Sequence, residues 1–305
     1  MPLDPQALAF FQAGREQGLP WLDEMTAAEA REGAPVLIEA IGPGPAVDHV
    51  EDLTIGVEGA EIPARRYRPD GAHGTIVWLH GGGWVLGDIA ISDAMCRILA
   101  NSAQATVLSI GYRLAPEHPF PVPLDDCFAA VRWAAANEPG PLIVGGDSAG
   151  GNLTAVCTVR ARDRGGPRLV GQLLIYPATD TDLESPSYVE HGADQYPMML
   201  STRSMRWFYE NYLPDPADWS NPEAAPLRTA DLSGLPPAIV VIAEYDPLRD
   251  DGNLYAERLA QAGVDVTILT YDDQAHGFFS FVNAFPAGNT AVAAVGEAAR
   301  ELLSE

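Results

Sequence analysis

The chain of 305 residues contains no lysine, and all 18 of its basic residues are arginine. A lysine amine is required by Schiff-base aldolases, by pyridoxal-phosphate enzymes, by Walker-type phosphate loops and by esterases built on a Ser-x-x-Lys pair. The sequence therefore excludes these kinds of site. Two explanations of the missing lysine stay open: the base composition of a GC-rich genome, or an acidic surface adapted to salt or cold water.

Positive charge as a whole is scarce. The chain carries 42 acidic residues against 18 basic ones, which gives a formal net charge of -24 at pH 7. An acidic excess of this size repels phosphate backbones and anionic membrane surfaces. We therefore expect neither nucleic acid nor a membrane as a partner.

Cysteine is also rare, with residues only at Cys96, Cys127 and Cys157. They lie in apolar, helix-like runs without the spacing of metal ligands, so we expect buried, reduced thiols and no metal site. The first residues include no basic stretch before an apolar segment, and no apolar run reaches membrane-spanning length. These features predict a cytoplasmic protein.

The motif GDSAG at residues 146–150 stands between a short β-branched run at 142–144 and a helix-like run at 152–164. In a strand-to-helix corner of this kind, called a nucleophile elbow, the serine hydroxyl is pushed outward. Glycines are needed on both sides because a Cβ there would collide with the neighbouring strand and helix. The motif indicates that Ser148 is a nucleophile, although a serine in a glycine-rich turn is the simpler explanation of the motif by itself.

A second motif, HGGGW at residues 80–84, follows the strand-like run 75–79. Acyl transfer develops negative charge on an oxygen, and glycine amides can donate hydrogen bonds to it at close range. We expect the N–H groups of Gly82, Gly83 and Ala149 to form such an oxyanion hole. The alternatives are a flexible turn or an anion-binding nest, but no Lys-Ser/Thr pair follows to make a phosphate loop.

The order of residues along the chain selects the base, since this type of elbow places the histidine last. Two histidines follow Ser148. His276 comes after the strand-like run 264–271, in a predicted loop, whereas His191 lies in a polar stretch far from any strand end. Open α/β sheets place their chemistry at the carboxyl ends of strands. We therefore predict that His276 takes the proton from Ser148.

The acid is expected between the serine and the histidine. Asp246 follows the apolar, β-branched run 238–243 and precedes a proline that fixes the turn. It would hold the imidazole in the required tautomer and stabilise the imidazolium. Glu244 is the alternative acid.

Taken together, these motifs resemble those of a known family. HGGGW, GDSAGG, YRLAPEHPFP at 112–121, DPLRD at 246–250 and HGF at 276–278 resemble the hormone-sensitive-lipase-like branch of α/β-hydrolases, the bacterial family IV esterases. The resemblance implies a serine carboxylesterase with a helical cap and without cofactor or metal. It also implies a small-molecule ester substrate, allows a homodimer, and supports the same triad and the same oxyanion donors.

The rest of the sequence fits one α/β domain with two helical additions. After an antiparallel hairpin that turns at Gly59, strand-like and helix-like runs alternate. This predicts an α/β-hydrolase fold with an eight-stranded, mostly parallel sheet flanked by helices. We expect the catalytic domain at residues 46–183 and 231–305, and the helical cap at residues 1–45 and 184–230.

The cap segment 184–230 is rich in methionine and aromatic residues, which suit an adaptable apolar pocket. We expect the acyl chain to contact Trp84, Met199, Phe208 and Phe278. The resemblance implies a small capped pocket, so we expect a preference for short- to medium-chain acyl esters, of about four to eight carbons. Two alternatives remain: an amidase or deacetylase with the same triad, and a non-catalytic small-molecule binding protein, which would require a broken triad.

Overall fold

The computed structural model describes residues 1–304. Its strands are β1 (His49–Val57), β2 (Ala60–Arg68), β3 (Thr75–Leu79), β4 (Thr106–Ile110), β5 (Leu142–Asp147), β6 (Gly171–Ile175), β7 (Ala238–Tyr245) and β8 (Val266–Ala275). They form one sheet in the order β1-β2-β4-β3-β5-β6-β7-β8. β1 and β2 are antiparallel and turn at Gly59, β2 is antiparallel to β4, and the remaining pairs are parallel. The predicted eight-stranded, mostly parallel sheet is confirmed.

β8 is longer than the sequence pattern indicates. It continues through Ala275, because after an irregularity between Ala243 and Tyr245 it pairs with β7 again, Tyr245 opposite Ala275. The residues between 272 and 275, which we expected in a loop, therefore belong to the strand. His276 consequently follows the strand end directly.

The helices are α1 (Pro5–Glu16), α2 (Ala27–Arg31), α3 (Ala34–Ile41), α4 (Asp93–Ala103), α5 (Val122–Asn137), α6 (Ala149–Asp163), α7 (Pro186–His191), α8 (Thr202–Tyr212), α9 (Arg249–Gln261) and α10 (Pro286–Leu303). Short 3₁₀ turns lie at Leu22–Glu24, Pro216–Ser220 and Pro226–Arg228. Asp125 and Asp126 lie inside α5 and form ion pairs with Arg160 and Arg113, respectively.

Alternation along β3 divides the core between the two faces of the sheet. Ile76 and Trp78 belong to the cluster that contains α4 and α10, whereas Val77 and Leu79 belong to the cluster that contains α5 and α6. This is the period of two that a strand covered on both faces requires. A third cluster joins α9 to β6 and β7. The three cysteines are buried, unpaired thiols.

The two helical segments that precede β1 and follow β6 lie against each other. Phe11 of α1 stacks on Tyr196 at a ring-centroid distance of 6.4 Å, and Arg203 of α8 forms ion pairs with Asp23 and Glu24. α8 also packs on the loop after β3, where Trp84 stacks on Tyr212 at 4.5 Å. The helical content of both segments agrees with the expected cap, and the domain boundaries stay a prediction.

Within residues 1–304, no helix combines the length and the apolar character that crossing a bilayer would need.

Candidate active site

Ser148 stands at the corner between β5 and α6 with φ +57° and ψ −117°. A positive φ is uncommon for a residue with a side chain and persists only where the surroundings enforce it. A Cβ at Gly150 would overlap the backbone of Leu79 in β3, and a Cβ at Gly146 would overlap both Leu79 and Gly150. Only glycine fits at these positions, as the sequence indicated.

The structure brings Ser148, His276 and Asp246 together at the carboxyl ends of β5, β8 and β7. His276 Nε2 lies 2.9 Å from Ser148 Oγ, and His276 Nδ1 lies 2.7 Å from Asp246 Oδ2. Asp246 is fully buried, and its Oδ1 accepts the backbone N–H of Leu248 at 2.8 Å. An imidazole held between a carboxylate and a hydroxyl is the arrangement that activates a serine.

The alternative acid and the alternative histidine lie elsewhere. Both contact Arg249 at the start of α9: its Nη1 lies 2.6 Å from Glu244 Oε1 and 3.1 Å from His191 Nε2. Glu190 binds the same guanidinium at 2.9 Å. These three side chains could in principle hold a metal ion, but the guanidinium already provides a cation among them.

The HGGGW motif forms a tight turn that faces the elbow. Gly82 has φ +110° and Gly83 has φ +60°, and the carbonyl of Gly82 accepts the N–H of Leu86 at 2.7 Å. Within residues 1–304, no acceptor takes the N–H groups of Gly82, Gly83 or Ala149. These amides are therefore free to donate to an oxyanion.

Asp147, which precedes Ser148, links this turn to the segment after His276. Its Oδ1 accepts the N–H of Gly81 at 3.0 Å, and its Oδ2 accepts the hydroxyl of Ser280 at 2.8 Å. Ser280 also lies 3.3 Å from the hydroxyl of Tyr176, whose ring is 4.5 Å from the His276 ring. Burial raises the pKa of Asp147, although the hydrogen bonds from Ser280 and Gly81 oppose that shift.

His80 holds the glycine turn and takes no part in the triad. Its Nδ1 lies 2.8 Å from the carbonyl oxygen of Gly81, and its ring stacks on Tyr112 at 4.3 Å. Burial lowers the pKa of His80, which favours the neutral ring.

Comparison with known proteins identifies the family. A family model described as "alpha/beta hydrolase fold" matches residues 76–280. The chain belongs to the α/β-hydrolase family. Its motifs place this α/β-hydrolase in the hormone-sensitive-lipase-like branch, so the resemblance inferred from the sequence is confirmed.

Several relatives of this α/β-hydrolase carry esterase names. The carboxylic ester hydrolase LipN of Mycobacterium tuberculosis is 42% identical over 97% of this chain and 81% of its own length. The ethyl acetate hydrolase of Pseudomonas putida is 35% identical over 99% of this chain and 100% of its own length. An ester hydrolase from the Lake Arreo metagenome, solved with a bipyridine phosphonate derivative, superposes with a TM-score of 0.93 at 38% identity, covering 99% of this chain and 100% of that one.

Phe208 of α8 lies directly on the oxyanion turn of the α/β-hydrolase. A Cβ at Gly83 would overlap its ring, and only 6% of Phe208 is exposed. Met199 is 7% exposed and belongs to the cluster that contains Phe11 and Phe278. Of the four residues expected to contact substrate, Phe208 is the one whose ring lies against Gly83, a predicted oxyanion donor.

Trp84 and Phe278, which we expected to contact the acyl chain, are both buried. Trp84 has no exposed surface, and its ring packs on those of Tyr209 and Tyr212. Phe278 is 1% exposed and packs on Tyr176 and Tyr271. In this conformation neither ring offers surface to a ligand. Trp84 belongs to the core cluster that contains α5 and α6, and Phe278 belongs to the cluster that contains α4 and α10. In place of the expected contact with substrate, both rings pack against neighbouring aromatic side chains in the core.

Sequence reasoning missed the network formed by Asp147, Ser280 and Tyr176. Asp147 lies inside the GDSAG motif with no role that the motif itself indicates, and Ser280 and Tyr176 carry no motif of their own. The one available signal was the position of Asp147, adjacent to the nucleophile. A charged residue in an otherwise buried elbow requires partners.

Proposed function

We propose that this protein is a serine carboxylesterase that acts through an acyl-enzyme intermediate on Ser148. The observation that carries the proposal is the placement of His276 Nε2 at 2.9 Å from Ser148 Oγ while Nδ1 lies 2.7 Å from Asp246 Oδ2. The esterase names of relatives at 35–42% identity give independent support.

Acylation begins when Ser148 Oγ attacks the carbonyl carbon of the ester and His276 Nε2 takes the hydroxyl proton. The carbonyl oxygen becomes an oxyanion and accepts hydrogen bonds from the amides of Gly82, Gly83 and Ala149. Collapse of the tetrahedral intermediate breaks the bond to the alcohol oxygen. That oxygen receives the proton from His276, and the acyl group stays on Ser148.

Deacylation repeats these steps with water as the nucleophile. His276 takes a proton from water, the hydroxide adds to the acyl carbon, and the same three amides hold the oxyanion. The intermediate then releases the carboxylic acid, and Ser148 Oγ recovers its proton from His276. Asp246 keeps its hydrogen bond to His276 Nδ1 throughout and stabilises the imidazolium.

We further propose a preference for acyl chains of about four to eight carbons. This preference is supported by the close contact between the Phe208 ring and Gly83, which limits the space beside the oxyanion donors. A maximum of p-nitrophenyl ester turnover at long chains would instead indicate a lipase.

The test is covalent labelling with a fluorophosphonate, followed by peptide mass spectrometry. We expect one adduct on Ser148, and we expect Ser148→Ala to lose both the label and ester hydrolysis. Ser233→Ala, which removes an exposed hydroxyl, is the matched control and should keep both. Absence of an adduct from the folded wild-type protein would favour the non-catalytic binder. Faster turnover of amides than of matched esters would favour the amidase.

We also propose that the protein forms a homodimer through β8. This strand is at the edge of the sheet and pairs only with β7 in the described chain, and 47% of its Ile268 is exposed. An unpaired edge is a template for a second strand. Ile268→Asp should shift the sedimentation mass towards the monomer, whereas Val50→Asp at the opposite edge should not. Equal behaviour of the two variants would contradict pairing through β8.

A cytoplasmic location also stays a proposal, drawn from the sequence. Fractionation of cells that express a tagged chain tests it, and recovery of the esterase outside the cytoplasm would overturn it.

A further inference from the structure

The oxyanion turn contains an unusual run of backbone conformations. Gly82, Gly83 and Trp84 have successive φ values of +110°, +60° and +60°. Glycine accepts such values readily, but for a bulky residue such as tryptophan they are strained. A strained conformation persists only when surrounding contacts determine it. The question is which contacts hold Trp84 and its neighbour Val85 in place.

Arg31, the last residue of α2, reaches this turn from the N-terminal helical segment, 54 positions away in sequence. Its Nε donates to the carbonyl of Val85 at 2.9 Å, and its Nη2 donates to the carbonyl of Ala115 at 2.6 Å. Ala115 in turn donates its N–H to the carbonyl of Trp84 at 2.9 Å. The guanidinium therefore holds the carbonyl of Val85 directly and that of Trp84 through Ala115.

Glu117 fixes the orientation of the guanidinium. Its two carboxylate oxygens accept from Nη1 and Nη2 of Arg31, each at 2.8 Å. This is a bidentate pair, which constrains the plane of the guanidinium as well as its position. Glu117 makes no hydrogen bond to the turn itself, so its contribution passes through Arg31.

Across residues 1–304, Arg31 makes the only side-chain hydrogen bond to the backbone between residues 82 and 86. The inner closure of the turn is made by backbone alone, with the Gly82 carbonyl accepting the N–H groups of Val85 and Leu86. A shift of Val85 would therefore move Gly82, whose amide faces the developing charge.

We propose that Arg31 is a positioning residue for the oxyanion hole: it holds the strained turn at Trp84 and Val85 so that the amides of Gly82 and Gly83 meet the transition-state oxygen. The proposal rests on the proposed function. Through the side chain of Arg31, the N-terminal helical segment supports the reaction. Loss of Arg31 should therefore lower kcat by more than loss of its ion pair with Glu117 does.

The test compares Arg31→Met and Arg31→Lys with Glu117→Gln in p-nitrophenyl butyrate hydrolysis. A displaced donor weakens the transition state more than bound substrate, so Arg31→Met should lower kcat about 10- to 100-fold with KM changed less than about threefold. Arg31→Lys, which can still reach one carbonyl, should recover part of the loss. Glu117→Gln keeps both carbonyl contacts of Arg31 and one oxygen acceptor for its guanidinium, so it should lower kcat clearly less than Arg31→Met does.

A second control removes a different anchor of the same helical segment. Arg203→Gln breaks the ion pairs with Asp23 and Glu24 but leaves Arg31 in place. Its kcat should resemble that of wild type. If Arg31 only docks the segment, Arg203→Gln, Glu117→Gln and Arg31→Met will lower kcat to the same extent, and the proposal is overturned.

Inhibitor affinities supply a readout that general loosening does not move. A trifluoromethyl ketone forms a hemiketal oxyanion on the serine, so its Ki should rise in Arg31→Met in proportion to the loss in kcat/KM, while the Ki of a non-covalent alcohol stays constant. If Arg31→Met does not fold, Arg31→Lys carries the same comparison. A wild-type protein without esterase activity would refute the proposed function. If the wild type is active and both Arg31→Lys and Arg31→Met are as active as the wild type, only the role of Arg31 is refuted.

Discussion

At the scale of single residues, the glycines on either side of Ser148 have the most restrictive surroundings. The elbow brings α6 so close to β3 that the Leu79 backbone occupies the space of any side chain at Gly150. The requirement is local, because it follows from a strand that turns at once into a helix. For this reason the motif, together with the strand-like run before it and the helix-like run after it, was enough to predict the corner at Ser148.

Gly150→Ala should therefore destabilise the protein severely. The added methyl meets backbone that cannot move without displacing β3, so we expect a loss of more than about 3 kcal/mol in the free energy of unfolding or failure to fold. Urea denaturation measures it. Gly56→Ala, where a Cβ meets nothing within 4 Å, is the control and should be close to neutral. A Gly150→Ala protein of wild-type stability would show that the elbow is looser than described.

Asp251 offers a pH-dependent test at the same scale. Its Oδ2 accepts the backbone N–H groups of Thr179 and Asp180 at 2.8 and 2.9 Å. Burial raises the pKa of Asp251 well above the ordinary aspartate range. The folded state then holds this proton more tightly than the unfolded state. Its contribution to stability therefore falls as pH rises from the ordinary range through the raised value.

Asp251→Asn keeps an oxygen acceptor but cannot ionise. We expect the Tm of Asp251→Asn minus that of wild type to be near zero at about pH 4 and to increase towards about pH 7. Thermal denaturation across this range measures the difference. Asp265→Asn, at an exposed position, should show no such increase. A difference that does not vary with pH would contradict the raised pKa.

At the scale of secondary-structure elements, α8 joins the helical segment after β6 to the turn at residues 82–84. Its position was not predictable from its sequence, because the aromatic run around residues 207–212 fits a cap core as well as a pocket wall. The structure separates these roles: Tyr209 and Tyr212 pack on Trp84, while Phe208 rests on Gly83. The helical period turns one neighbour towards the site and the others towards the core.

Phe208→Ala should change the acyl preference. Removing the ring opens space beside the oxyanion donors, so we expect the chain-length optimum to move longer by about two to four carbons. Turnover of p-nitrophenyl esters of increasing acyl length measures it. Phe128→Ala is the control. It removes a ring of equal size on α5, beside Arg160 of α6, and should leave the optimum unchanged. An unchanged optimum in Phe208→Ala would remove this residue from the acyl pocket.

At the scale of the whole molecule, the net charge of -24 acts against the compact state by self-repulsion. Added salt screens such repulsion over a Debye length of about 10 Å at 0.1 M. We expect the Tm at pH 7 to rise by several degrees between about 0.02 and 0.5 M NaCl, and to rise less at about pH 5, where fewer carboxylates are charged. A Tm that falls with salt would show that ion pairs outweigh the repulsion.

Activity in the same salt series separates the two explanations of the missing lysine. Inhibition of ester hydrolysis by moderate NaCl would remove adaptation to salt and leave the genome composition. Increased activity would favour the adapted surface.

The sequence by itself determined the sheet, the elbow, and the order of serine, acid and histidine along the chain. These properties follow from local periodicity, from glycines that short-range sterics require, and from the rule that parallel strands end at one edge. Asp246 and His276 were predictable because each comes shortly after a strand-like run, at the edge where parallel strands end.

Only the tertiary structure decided which side chains support that chemistry. Arg31 meets Val85, Asp147 meets Ser280, and Phe208 meets Gly83, and all three contacts join residues that are far apart in the chain. Trp84 and Phe278 became core residues for the same reason, because burial depends on what packs against a ring. Contacts of this kind depend on how separate elements pack, and no periodicity or spacing in the sequence encodes them.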